Sequence, residues 1–137
     1  MTAIARPNRP ARVVLTIAAK HALLGGMWIL GTTAAIELAG HNLIDATGRI
    51  TENGKRMCSY LRHQDRLGHL AKQVRAEGID GDDLADLAAG IDAGEATGSI
   101  TGTSIDFQLA FALAASLSDQ SAEDLRQDLE EYLGWNA

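Results

Sequence analysis

Five basic side chains, Arg49, Lys55, Arg56, Arg62 and Arg66, fall within eighteen consecutive residues. That density suits a phosphate backbone, because each cation that neutralises a phosphate releases condensed counterions. Arg6, Arg9 and Arg12 extend the footprint as an arm of the kind that enters a minor groove. Thr32 and Thr33 lie upstream, where hydroxyls near a groove would help read it. The same cations also suit a solvated helix face, balanced by carboxylates of the same or a neighbouring subunit.

A second set of groups is acidic. Asp80, Asp82, Asp83 and Asp86 form one cluster, and Glu123, Asp124, Asp128, Glu130 and Glu131 another. Carboxylates at this density meet a basic partner surface or imitate nucleic acid. Asp82, Asp83, Asp86, Asp128 and Glu131 are the expected partner-binding residues.

Metal and thiol chemistry find little support. His63 and His69 are six apart, not at the i, i+4 spacing two helical ligands prefer. The single Cys58 excludes an internal disulfide and a multi-cysteine zinc site, and fits a buried small hydrophobe. A reducing cytoplasm is the expected compartment. An EF-hand alignment of the run from Asp92 to Ser104 starts on Ala93 and puts Ser104 where the bidentate carboxylate belongs, which argues against calcium. No phosphate loop, dinucleotide fingerprint or nucleophile elbow is present. An enzyme is the least favoured class, and neither metal nor cofactor is expected.

The charges are sorted along the chain. Up to Arg75 there are eleven Lys and Arg against four Asp and Glu, a balance of +7. From Ala76 onward only Arg126 opposes fourteen acids, a balance of −13 within the overall −6. The aromatic fraction is only 4% and the apolar content is mostly Ala and Leu, which favours helices. So thin a core makes a homodimer a reasonable expectation. The longest uncharged stretch, Ala22 to Ile36, is shorter than the roughly 20 residues that span a bilayer. Membrane insertion is not expected.

The elements that must position these groups follow from periodicity and caps. Residues 1–10 hold both prolines and read as a flexible basic arm. Val13, Ile17 and Leu24 predict a helix over 11–24, stopped by Gly25 and Gly26. Thr32 or Thr33 caps a helix to about His41, with Ile36 and Leu38 apolar. Leu43-Ile44, a turn through Gly48 and Arg49-Ile50 predict at most one very short β-hairpin near 44–51. Thr51 caps a long helix over about 52–77, in which Gly54 is a weak spot and Gly78 follows the end. Met57, Gln64 and Ala71, with Tyr60, Leu67 and Val74, repeat every seven residues and define one buried face.

Asp80 to Ala89 predicts a short acidic helix stopped by Gly90, and 92–103 a loop. Ser104 caps an apolar helix from Ile105 to Leu117, expected at the centre of the acidic half's core. Ser121 starts a last helix with Leu125, Leu129 and Leu133 inward and Gly134 at its end. The expected fold is all-α or nearly so, with five or six helices. Residues 11–77 form a basic helical part and 78–137 an acidic one, either separate or sharing one core.

The stretch from Thr33 to Arg56 resembles the second half of a winged-helix DNA-binding domain. A helix ends in Leu43-Ile44, a turn with Gly48 follows, and Ile50-Thr51 leads through Gly54 into the next helix. The likeness covers about residues 25–60. It implies that the Thr33–His41 helix faces a major groove and that Arg49 enters a minor groove from a short wing. Polar groups on that helix are few, namely Thr32, Thr33 and Glu37, so a purely packed core helix fits the same residues.

Two functions follow as expectations. One is a small DNA-binding transcriptional regulator of bacterial or phage type, its basic half on double-stranded DNA and its acidic half for dimerisation or partner binding. The other is a non-enzymatic protein-interaction module, such as a phage-type inhibitor, adaptor or nucleic-acid mimic, acting through the acidic half.

Overall fold

The computed structural model describes residues 14–135. The proposed basic arm, with Arg6, Arg9 and Arg12, lies outside them. Among the described residues the chain forms six helices: α1 (Ile17–Gly25), α2 (Thr33–Gly40), α3 (Glu52–Glu77), α4 (Gly81–Asp92), α5 (Ile105–Leu117) and α6 (Ala122–Leu133). A single antiparallel bridge, Ile44 to Ile50, accompanies them. The protein is therefore nearly all-α, with the long helix and the minimal hairpin that the sequence implies.

The described residues divide into two compact units between His63 and Gln64, inside α3. The sequence places the change at 77/78, at the end of the long helix and two residues past the turn in charge balance. Apolar contacts decide otherwise. Met57 and Cys58 join the N-terminal core, whereas Leu67, Leu70, Ala71 and Val74 join the C-terminal one. There are accordingly two cores.

In the N-terminal unit α1 packs against α2. Helix α1 begins later than its apolar spacing implies, because the Thr16 hydroxyl accepts from the Ala19 amide at 3.2 Å and sets the N-cap there. Ala19 and Leu23 face inward, while Val14 and Ile17 are exposed. Gly26, left-handed at φ 67°, closes the helix. Leu38, Leu43, Ile44 and Met57 complete the interior.

Gly54 is the reverse of a weak spot. A Cβ built there would lie 2.1 Å from the Leu43 carbonyl oxygen and 2.6 Å from the Ile50 side chain. The first turn of α3 thus rests directly on the hairpin backbone. Thr51 anchors the same turn: its hydroxyl accepts from the Gly54 amide at 3.0 Å and donates to the Asn42 carbonyl.

In the C-terminal unit α4 and α5 both pack against α6. Phe107 and Phe111 of α5 are fully buried, with ring centroids 6.0 Å apart. Asp80 forms a capping box with Asp83 at the start of α4. Gly90 does not stop α4, which continues to Asp92. Instead the following loop folds back over it: the Glu95 amide donates to the Gly90 carbonyl at 2.9 Å, and a Cβ at 90 would meet Glu95 and Ile100 at 2.4 and 2.8 Å. Gln108, buried in α5, ties the loop down. Its oxygen accepts from the Gly98 amide at 3.0 Å, and its nitrogen donates to the Ile100 and Thr103 carbonyls at 2.7 and 3.1 Å.

Helix α5 is apolar almost all round, yet it is not the enclosed centre of this unit. Phe107, Gln108, Phe111, Ala114 and Ala115 are buried, while Ile105, Leu109, Leu113 and Leu117 stand in solvent.

Two stability outcomes follow. Gly54→Ala at an unconstrained helix position would stabilise by about 1 kcal/mol; here backbone overlap dominates, and a net loss of about 1–3 kcal/mol is expected in urea denaturation. Gln108→Leu strands buried backbone groups of the 98–103 loop and should cost about 2–4 kcal/mol in the same measurement, with faster amide exchange in that loop.

Candidate nucleic-acid interface

The four cations Arg49, Lys55, Arg56 and Arg62 belong to the N-terminal unit and are all exposed. Arg49 follows a tightly tied turn. One Asp45 carboxylate oxygen accepts from the Thr47 amide at 2.9 Å, the Thr47 hydroxyl at 2.6 Å and the Arg49 amide at 3.0 Å. These bonds hold the Asp45 carboxyl below the usual carboxylate range, the Thr47 hydroxyl contributing most. Gly48, at φ 85°, turns the chain, and its carbonyl accepts from the Trp28 indole at 2.8 Å. The turn is thereby pinned to the unit that carries the other three cations.

Lys55 and Arg62 lie on one stripe of α3, seven residues apart, with Arg56 one step round the helix. Lys55 sits 3.3 Å from Glu52, a solvated pair worth little. Arg56 donates to the Asn53 side-chain oxygen. Arg62 donates to the Leu24 carbonyl at 3.3 Å, near the C-terminal end of α1. Every one of these partners lies in the N-terminal unit. Between Lys55 and Arg62 runs an open groove of about 490 Å³, floored by Leu23, Trp28, Ile50 and Cys58. Burial pushes the Cys58 thiol up, so it is a poor nucleophile.

The structure does not bring all the expected residues together. Arg66 falls in the C-terminal unit, half-buried, and donates to the Ser118 hydroxyl at 3.3 Å. Thr32 is occupied as the N-cap of α2: its hydroxyl accepts from the Ala35 amide at 3.3 Å and donates to the Ile29 carbonyl at 2.7 Å. Thr33 is exposed one residue on. Glu37 turns back to Thr16, accepting from its amide at 2.8 Å and its hydroxyl at 2.7 Å. The amide bond first, then the hydroxyl, lowers the Glu37 carboxyl below its ordinary value. The exposed positions of α2 are then Thr33, Ile36, Ala39 and Gly40, a surface with few groups for reading base edges.

The acidic set is divided as well. Asp82, Asp86 and Glu131 are exposed. Asp128 is not a surface carboxylate: it is 7% exposed and accepts from the Gln120 amide nitrogen at 3.0 Å. Asp83 is half-buried in the α4 capping box. Glu123 and Glu130 both grip Arg126, whose guanidinium is held more firmly protonated chiefly by Glu123. Asp92 accepts from the Ala122 and Glu123 amides at 2.8 and 3.0 Å, and so caps α6 from the end of α4. Much of the acidity serves helix ends.

Sequence reasoning missed the exposed apolar groups. Met27, Ile29 and Leu30 protrude from the α1–α2 connection, and Ile105, Leu109, Leu113 and Leu117 line α5. The only signal for the second group was an apolar helix with more hydrophobic surface than one core covers. Among the described residues, no group of three or more His, Cys, Asp or Glu is arranged to hold a metal ion, and no helix is long and apolar enough to cross a membrane. No family model, curated protein or solved structure matches the chain.

The depressed Glu37 and Asp45 carboxyls give the N-terminal unit a defined acid sensitivity. Groups whose folded pKa is lowered stabilise above the unfolded value, and that stabilisation disappears as pH falls through the carboxylate range. In a Trp135→Phe background, Trp28 fluorescence should show wild type losing more urea resistance between pH 7 and about pH 3 than Glu37→Gln does.

Proposed function

We propose that this protein is a small DNA-binding regulator of bacterial or phage type, acting in the cytoplasm, whose N-terminal unit grips the duplex backbone. The observation that carries the reading is the exposed set Arg49, Lys55, Arg56 and Arg62 in one unit, whose partners among the described residues are two neutral oxygens, the solvated Glu52 and, near Arg49, the Asp45 carboxylate that its own turn already engages. Such cations remain available to phosphates. The winged-helix resemblance points the same way, with the pinned 44–50 turn carrying Arg49 as a short wing. Phosphate contacts fix position without reading sequence. The sparse polar surface of α2 favours backbone holding over extensive base readout, with Thr33 the available hydroxyl.

The competing reading places function on the acidic half. It is weakened by the structural duties of Asp83, Asp92, Glu123, Asp128 and Glu130, which leave Asp82, Asp86 and Glu131 as its exposed candidates.

Four phosphate contacts give a log–log dependence of affinity on salt with a slope of about −3.6, or roughly a hundred-fold loss between 50 and 200 mM salt. Fluorescence anisotropy with a random duplex should show that slope. Lys55→Glu with Arg56→Glu should weaken binding at least a hundred-fold while circular dichroism stays unchanged. Absence of duplex binding by wild type at low salt, or binding indifferent to salt, sinks the reading.

A further inference from the structure

The exposed face of α5 has a specific form. Ile105, Leu109, Leu113 and Leu117 are each 53–60% exposed and recur every fourth residue, so they make a single continuous ridge. The helix carries one charge in thirteen residues, Asp106 in its first turn. Ala110, Ala112 and Ser116 are small and leave grooves beside the ridge. We propose that this ridge is a homodimer interface, occupied by α5 of a second copy of the same chain.

Three arguments select that occupant. First, a ridge built from positions four apart fits the grooves of an identical helix, the two axes crossing at about −50°, so the surface complements itself across a two-fold axis passing between Leu109 and Leu113. Second, charge disfavours the other candidates. From Gln64 onward the chain holds fifteen Asp and Glu against four Lys and Arg. An anionic bilayer repels such a surface. A basic partner protein would seek the carboxylates rather than the one uncharged stripe. A second copy also carries those charges, and the stripe is where it can approach with Asp106, at the N-terminal edge of the ridge, as the one carboxylate of α5 nearby. Third, the area is appropriate to a reversible pair. Four half-exposed side chains offer roughly 400 Å² per copy, about 800 Å² in all, below the roughly 1,200 Å² at which stable specific interfaces begin and in the range of transient ones. The dimer is therefore concentration-dependent.

Like-charge repulsion between the acidic C-terminal units of two copies adds a signature. Salt screens it, so association tightens as salt rises, the opposite of the trend for phosphate contacts. Self-association is read from mass alone, and so stands apart from whether the N-terminal unit binds DNA.

The test is sedimentation equilibrium of the full chain from about 5 to 500 µM, at 50 and 500 mM salt. Wild type should move from one to two chain masses, with a smaller dissociation constant at the higher salt. Leu109→Glu with Leu113→Glu should raise that constant at least a hundred-fold, with helical content unchanged and, at concentrations where wild type is monomeric, an unchanged thermal midpoint because both side chains are exposed. Leu109→Ser with Leu113→Ser supplies the same test should the acidic pair disturb folding. A wild type monomeric throughout, growth beyond two chains, or variants that dimerise like wild type would each overturn the proposal.

Discussion

Only a hydrogen fits on the Cα of residue 54, because the first turn of α3 lies against the Leu43 carbonyl and the Ile50 side chain. That approach sets where α3 starts and, with the Thr51 hydroxyl bridging to Asn42, the direction in which it leaves the hairpin. Lys55, Arg56 and Arg62 take their places from the same turn, while Arg49 is fixed by the hairpin on which the turn rests. A larger residue at 54 would move α3 off the hairpin and disperse the cations together with the N-terminal core.

Electrostatics adds a second level of order. In the N-terminal unit the acids are drawn into local work: Asp45 closes its own turn and Glu37 ties α2 to Thr16. In the C-terminal unit Asp80, Asp83 and Asp92 serve helix starts, and Glu123 and Glu130 hold Arg126. Carboxylates beside unpaired backbone amides at a helix N-terminus are stabilised by the amide dipoles, so an acidic helical unit can be stable without many cations. A dense negative charge is then no proof of an acidic docking surface, as the buried Asp128 illustrates.

The helices were largely legible from the chain. Caps are local chemistry: Thr51, Ser104 and Ser121 each accept an amide three residues on, and α3 and α5 have the limits that these caps and the apolar spacing imply. The heptad positions of α3 are buried or half-buried for the same reason. Less legible was anything that depended on which of several apolar faces finds a neighbour. Val13 and Ile17 suggested an earlier α1, but the Thr16 cap overrides spacing. Gly54 looked like a flaw in its helix and Gly90 like a helix stop; both are points where another segment comes too close for a Cβ, a condition no local window contains.

The chain by itself therefore determined element type, most element ends and the separation of charge along the polypeptide, because each depends on residues within a few positions of one another. Tertiary structure alone decided that α3 serves two cores, that Asp92 at the end of α4 caps α6, that Asp128 is buried, and that one face of α5 is left bare. Those outcomes turn on long-range packing and on which donors and acceptors meet across tens of residues, and the periodicity of a sequence carries no record of such meetings.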